Sequence, residues 1–344
     1  MNSGTATWQV IAYASVVAGA AALCAALIVL LRPLLARYAV ARPNARSSHK
    51  IPTPQGGGIA VVTATLAVSA VVIVIDPRLE IAAAQFGLIA AATSALAIVG
   101  AADDIMMLAV VPRLASQAIA VAVVVALQPP DVHIVSFIPL WVERIALALA
   151  GVWFVNLVNF MDGIDWMTVT EVVPVTLGLV ILAAFSALPP LATLMALTLL
   201  GATIGFAPFN RPVAKLFLGD VGSLPIGLFL FWMLLQLASG GHLAAALLLP
   251  LYYVADTTLT LIRRILNGEH VTQAHRTHFY QRATERGHSV PQVVSRVFAL
   301  NVALVALAVA TVAVPSPLTG LVCFSLGTAL VAWLLATFLR GAMR

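Results

Sequence analysis

Five aspartates in this sequence sit where long apolar runs stop: Asp103 and Asp104 in Gly100-Ala-Ala-Asp-Asp104, Asp162 and Asp165 in Leu157-Val-Asn-Phe-Met-Asp-Gly-Ile-Asp-Trp166, and Asp220 in Phe217-Leu-Gly-Asp-Val-Gly-Ser223. In a chain with 9% charged residues such placement needs a reason. Carboxylates are hard oxygen donors, and several at one site hold a divalent cation or bracket a phosphate. Asp162 and Asp165 are about one helical turn apart, so a helical continuation turns both the same way. Asn156 and Asn159 extend that spacing into one polar stripe, able to bind ligand hydroxyls and a metal together; interhelical glue is the structural alternative. For Asp162-Gly163 the alternative is a solvated turn at a helix end. Asp220, between glycines at the start of an apolar run, is a helix cap or, in company with the other acids, a metal ligand. The adjacent Asp103 and Asp104 repel each other unless Mg²⁺, Lys or Arg sits between them; a solvated pair of helix-end acids is the alternative.

Two basic stretches accompany the acids. Pro43 to Gly58 carries Arg46, His49, Lys50 and Thr53 ahead of three glycines that open an apolar run. Backbone N–H groups at such a helix start, next to cations, form a cradle for a phosphate; a flexible basic loop that sets topology is the alternative. Asn267 to Gln281 concentrates His275, Arg276 and His278. An Arg between two His suits a pyrophosphate or nucleotide, and the absence of a Cys partner argues against zinc.

The elements that must position these residues are membrane spans. The 344 residues are 62% hydrophobic, with a mean hydropathy of +1.04, against roughly 25% charged residues in soluble proteins. That excludes a soluble domain and predicts an all-α, polytopic membrane helical bundle. With about 20 apolar residues per span, helices fall near 8–31, 57–75, 81–101, 113–128, 140–159, 171–188, 191–208, 222–238, 243–262, 294–313 and 318–339, giving about 10–11 spans. The whole chain, 1–344, is expected to be a single integral-membrane domain, with loops at about 32–56, 102–112, 160–170, 209–221 and 263–293 forming the site. Met1 to Gln9 lacks the positive start of a cleavable signal, so the first helix is expected to be retained. Cys24 and Cys323 lie inside apolar runs and read as small hydrophobes.

With the N-terminus outside, only Arg78 and Arg144 of the 18 Lys and Arg remain on the outer side. The positive-inside rule therefore selects this topology and puts the C-terminus in the cytoplasm. The same assignment sends Asp103, Asp104, Asp162, Asp165, Asp220 and the His-rich loop to one face, which hydropathy alone did not require. Net charge +5 is spread over loops between spans, which fits a lipid bilayer surface and not a nucleic acid.

Taken together, Pro52-Thr-Pro-Gln-Gly-Gly-Gly58, Asp103-Asp104, Asn156-x-x-Asn159-x-x-Asp162-Gly-Ile-Asp165, Phe217-Leu-Gly-Asp-x-Gly-Ser223 and His275-Arg-Thr-His278 resemble the polyprenyl-phosphate N-acetylhexosamine-1-phosphate transferases, the MraY/WecA superfamily of glycosyltransferase family 4. The resemblance implies attack of a polyprenyl (undecaprenyl) phosphate on a UDP-N-acetylamino sugar, with release of UMP. It also implies a bacterial cytoplasmic (inner) membrane location with a cytoplasm-facing site, and Mg²⁺, with Mn²⁺ as a substitute. By this resemblance Asp220 and Asp104 match metal positions, Asp103, Asp104, Asp162 and Asp165 catalytic ones, and Asn156, Asn159, Asp162, His275, Arg276 and His278 the nucleotide-sugar side. Arg46, His49, Lys50 and Thr53 lie near positions linked to the lipid phosphate. For Asp103 and Asp104, base and metal roles are both open, as is a homodimer. Trp166-Met167 stands where the family commonly has Gly-Leu, and the His loop lacks the His triplet of the peptidoglycan branch. The first implies a differently shaped sugar or lipid pocket next to Asp165, and the second favours initiation of O-antigen or another envelope glycan over lipid I synthesis. The rival from another class is a transporter, which expects acids at bilayer mid-depth and paired broken helices.

Overall fold

The computed structural model describes residues 3–41, 51–270 and 275–340. Arg46, His49 and Lys50 lie outside the described residues. Thirteen α-helices occur among those described: α1 (Ser3–Tyr38), α2 (Gly58–Ile75), α3 (Ala83–Met106), α4 (Val110–Ala126), α5 (Leu140–Met161), α6 (Met167–Ala183), α7 (Pro190–Phe206), α8 (Asp220–Ser239), α9 (Leu243–Leu248), α10 (Leu251–Leu266), α11 (Phe279–Glu285), α12 (Val290–Ala313) and α13 (Pro317–Arg340). Seven helical stretches are long and apolar enough to cross a membrane, and α4, α6 and α7 are shorter apolar helices. The molecule is a polytopic helical membrane protein, as its composition requires.

The starts of these helices follow local chemistry. Ser289 caps α12 and exchanges hydrogen bonds with Gln292 in a capping box. Pro190 opens α7, where a missing N–H costs nothing. One expected span is not continuous: 243–262 is divided into α9 and α10 at Leu249-Pro250, because the proline ring cannot donate to the preceding turn and clashes with it.

Helix α8 is the axis of the bundle, with almost all of its residues buried among α3, α5, α2 and α9. At its start it is gripped from two sides by glycines. Gly58 of α2 lies against Gly222, and Gly100 of α3 against the backbone of Asp220, so close that neither position has room for a Cβ. Two short strands, β1 (Val40–Ala41) and β2 (Thr53–Pro54), pair antiparallel where the first loop leaves and re-enters the bundle.

The glycine triplet corrects one expectation. Its N–H groups do not form an open phosphate cradle: Gly56 and Gly57 donate to the Phe217 carbonyl at 3.1 and 2.9 Å, and Gly58 donates to that of Leu218 at 2.8 Å. The segment is strapped to the run before α8, because only glycine lets two backbones approach this closely.

Candidate active site

Asp104 reaches from the end of α3 to the start of α8. Its Oδ1 accepts the Asp220 N–H at 2.9 Å, its Oδ2 the Val221 N–H at 3.2 Å, and Gln55 donates a further short bond to Oδ1. A helix start leaves N–H groups without partners, and a carboxylate both satisfies them and complements the helix dipole. Asp104 thus caps a helix to which it is not bonded in sequence. Gly219, at φ +78°, makes the turn into α8; a Cβ there would crowd the Asp104 carboxylate.

Asp103 points elsewhere. Its Oδ1 accepts the Leu108 N–H at 2.7 Å and its Oδ2 meets the Arg113 guanidinium at 2.6 Å. The repulsion expected between adjacent acids is relieved by turning them to different partners. Asp220 shares that arginine at 3.9 Å, touches the Asp103 carboxyl, and accepts from the Asn159 amide at 2.7 Å. Asn159 donates also to Ser223 at 2.9 Å. Two carboxyl groups, Asp103 of α3 and Asp220 of α8, therefore meet at one guanidinium from α4, while Asp104 holds the start of α8.

The stripe from Asn156 to Asp165 is not one helical face. Helix α5 ends at Met161, and Asp162 to Trp166 form a loop. Asp162 accepts a short bond from Thr168. Its carboxyl is pushed up to about 7, chiefly by burial and further by the charges of Asp104 and Asp165, with the Thr168 bond opposing them. Asp165 accepts the Ala214 N–H at 2.9 Å. Trp166, at φ +63°, donates its backbone N–H to Asn210 and its indole N–H to the Ala207 carbonyl, both at 2.7 Å. Asn210 in turn donates to the Leu216 carbonyl at 3.0 Å. These bonds staple the loop after α5 to the loop before α8. Asn156 lies deeper, buried and bonded to Gln117 of α4 and to the Val152 carbonyl. The structure places it in an interhelical contact and not with the acids, because it sits a full turn inside the membrane-spanning part of α5.

Of the three His-loop residues, His275 and His278 stack on one another, and none of the three lines the site. His275 is half-buried; burial, with the charges of His278, Arg264 and Arg263, lowers its imidazole to about 4, so it is neutral at pH 7. Arg276 is partly exposed. His278, only 2% exposed, turns inward to Asp256 of α10. The side chain that this segment presents to the site is Gln281 of α11.

A cavity of about 780 Å³ connects these parts, a size typical of ligand pockets. Its polar wall includes Thr53, Gln55, Asn159, Asp162, Asp165 and Asp220. Spacing alone missed Gln55, Thr168, Asn210 and Gln281, and used Arg113 only for topology. Gln55, directly before the glycine triplet, was the most visible of them in the sequence.

Among the described residues no three His, Cys, Asp or Glu side chains converge as a preformed metal cage. Mg²⁺ does not need one: it keeps several waters and takes one or two carboxylates plus substrate phosphates. Asp220 on the cavity wall, touching Asp103, is a donor set of that kind.

A family model described as glycosyl transferase family 4 matches residues 86–238, the stretch from α3 to the end of α8 that carries all five aspartates. The decaprenyl-phosphate N-acetylglucosaminephosphotransferase of Mycolicibacterium smegmatis is 29% identical over 350 aligned residues, covering 90% of this chain and 83% of that protein. A probable undecaprenyl-phosphate N-acetylglucosaminyl 1-phosphate transferase of Bacillus subtilis is 28% identical, covering 44% of this chain and 46% of its own length. The phospho-N-acetylmuramoyl-pentapeptide-transferase of Enterococcus faecalis is 35% identical, but over 33% of this chain and 34% of its own. The acids, and nearly all of the helices from α3 to the end of α8 that position them, thus fall within a stretch, residues 86–238, that matches glycosyl transferase family 4.

Proposed function

We propose that this protein transfers an N-acetylhexosamine-1-phosphate from its UDP-sugar to a membrane polyprenyl phosphate. An oxygen of the lipid phosphate attacks the β-phosphorus of the nucleotide sugar. A new P–O bond forms, the bond to the bridging oxygen of the diphosphate breaks, and UMP leaves with that oxygen. The attacking oxygen is already an anion, so positioning and charge neutralisation matter more than a strong base.

The observation that carries this reading is the meeting of Asp103 and Asp220 at Arg113, with Asp104 capping the start of α8 and Asp220 on the wall of a cavity that opens where apolar helices end. Two polyanionic substrates and a long hydrocarbon tail meet most easily there. Mg²⁺ is the proposed cofactor, held by Asp220 with Asp103 beside it, and when bound it supplies neutralisation of the phosphate charges. Asp104 holds the start of α8 so that Asp220 keeps its place. Asn159 orients the Asp220 carboxylate by donating to it without cancelling its charge. Asp162, Asp165 and Gln281 form the wall proposed for the nucleotide sugar, and Thr53, on the same cavity, marks the side proposed for the lipid phosphate.

The distribution of Lys and Arg supports a cytoplasm-facing site in a bacterial inner membrane. Initiation of O-antigen or a related envelope glycan is favoured over lipid I synthesis. The relative with the broad match acts on N-acetylglucosamine phosphate by its name, whereas the pentapeptide transferase matches only a third of the chain. The test is to give purified protein in detergent a panel of UDP-N-acetylhexosamines, UDP-MurNAc-pentapeptide included, with undecaprenyl or decaprenyl phosphate and Mg²⁺, and to measure UMP. UMP release that requires both a UDP-N-acetylhexosamine and the lipid, and is lost in Asp220→Asn, is expected. No release with any donor overturns the proposal, and release with the pentapeptide donor alone reassigns it to lipid I.

A further inference from the structure

Asp256, in the interior of α10, has no part in the chemistry above, yet it is fully buried and is the most heavily used carboxylate among the described residues. Its Oδ1 accepts the Phe279 N–H at 3.0 Å and lies 3.2 Å from His278 Nδ1 and 3.4 Å from the Thr260 hydroxyl. Its Oδ2 accepts the Tyr280 N–H at 3.2 Å and the Tyr252 hydroxyl at 3.1 Å. Three of these five partners come from one short segment, His278 to Tyr280, more than twenty residues further along the chain.

We infer that Asp256 is a positioning residue for the nucleotide-sugar side of the site, fixing the entry into α11 and, through Tyr280 and Gln281, the cavity wall that faces Asp162. This inference rests on the transferase function proposed above.

A helix of seven residues has little stability of its own, and its first N–H groups lack partners within it. Asp256 supplies partners for two of them from a rigid span. The same carboxylate holds the middle ring of a stack: His275 and His278 have centroids 5.0 Å apart at 28°, and His278 and Tyr280 are 5.8 Å apart at 22°. From there the connection runs into the site. Tyr280 donates its hydroxyl to the Phe160 carbonyl at 3.0 Å and fills the space where a Cβ of Gly163 would lie, while Gln281, the next residue, lines the cavity. Tyr253, next to the Tyr252 of the hub, donates to the Met167 carbonyl at 3.0 Å. Thus α10 holds the far end of the loop 162–166 directly and the near end through α11. Asparagine could not replace the acid, since its NH₂ group would face donors and leave at least one backbone N–H unpaired.

The experiment uses the full chain in detergent with Asp256→Asn, Asp256→Ala and, as a control that removes only a donor internal to α10, Tyr252→Phe. KM is measured separately for the UDP-sugar and for the polyprenyl phosphate, and hydrogen exchange is followed at Phe279 and Tyr280. The Asp256 variants are expected to raise the UDP-sugar KM about tenfold or more, as for one buried donor left unpaired. The lipid KM should stay within about twofold, and exchange at the two amides should quicken, with Tyr252→Phe close to wild type. A merely structural role would weaken both substrates alike. Equal changes in the two KM values, an unchanged UDP-sugar KM, or unchanged exchange at Phe279 and Tyr280 overturns the inference. If Asp256→Ala does not fold, the near-isosteric Asp256→Asn is read alone. If the wild type transfers no sugar phosphate, the proposed function has failed, and the exchange measurement still decides whether Asp256 holds α11.

Discussion

Asn159 and Asp220, distant in sequence and on different helices, meet with the amide of one 2.7 Å from the carboxylate of the other. The same amide reaches Ser223 one turn further along α8, so α5 fixes both the rotation of α8 and the direction of its first carboxylate. A neutral donor is suited to this: it orients the acid and leaves its charge available to a cation.

Asn159→Ala should therefore lower kcat about 10–100-fold, the usual loss when the partner that orients a metal ligand is removed, while the protein still folds. Asn159→Asp, which puts a further negative charge beside Asp220, should lose more. UMP release measured across a Mg²⁺ titration checks both. An Asn159→Ala enzyme with wild-type rate and Mg²⁺ dependence would remove the residue from this role.

Arg113 is the one guanidinium bonded to the acid cluster among the described residues, and its partner Asp103 is buried. Arg113→Met leaves that carboxylate uncompensated, at a cost of about 3 kcal/mol. The unfolding midpoint in detergent should fall accordingly. Adding Asp103→Asn to Arg113→Met should restore part of the loss, whereas strictly additive effects would show the two side chains to be independent.

Asp162 gives the protein a pH dependence of definite sign. Its carboxyl is raised to about 7, chiefly by burial, so between the ordinary carboxylate value near 4 and about pH 7 the native state holds a proton that the unfolded chain has lost. Its contribution to stability falls as pH rises through that window and stays low above it. Asp162→Asn should flatten this part of the profile, read as unfolding midpoints at pH 5 and pH 8 without divalent ions. A wild-type midpoint that rises over this range in step with the variant would contradict the assignment.

Gly58→Ala and Gly100→Ala test the grip on α8. Each added methyl would meet backbone, Gly222 in one case and Asp220 in the other, and such overpacking costs about 1–3 kcal/mol. Because the displaced element carries Asp220, kcat should drop by up to about 10²-fold, as expected for an ångström-scale misplacement of a reacting group. Gly87→Ala, also on α3 but facing open space, should be neutral or slightly stabilising. UMP release and thermal unfolding of the three variants decide the point.

Much of this molecule could be read along the chain. Runs of about 20 apolar residues had to be spans, because lipid offers backbone groups no partners outside a helix. The glycines around Asp220 marked the start of α8, and Pro250 was a visible break that the expected span 243–262 wrongly ran through. The end of α5 at Met161 was harder, since Asn159 and Asp162 keep helical spacing across it. The loop conformation is set by Thr168, Asn210 and Ala214, which hold Asp162, Trp166 and Asp165 from elsewhere in the chain. Asp256 carried one signal that went unused: an acid inside an apolar span is costly and rarely without purpose.

The sequence by itself determined the class of this protein, its apolar helices, and which polar residues stand at the ends of those helices, because each of these depends on local composition and the bilayer. Only the tertiary structure decided that Asp103 and Asp104 serve different partners, that the glycine triplet is spent on Phe217 and Leu218, and that Asp256 holds α11. Those are relations between residues from ten to more than a hundred positions apart. No local pattern encodes them; they are set when packed helices bring particular donors and acceptors within about 3 Å of each other.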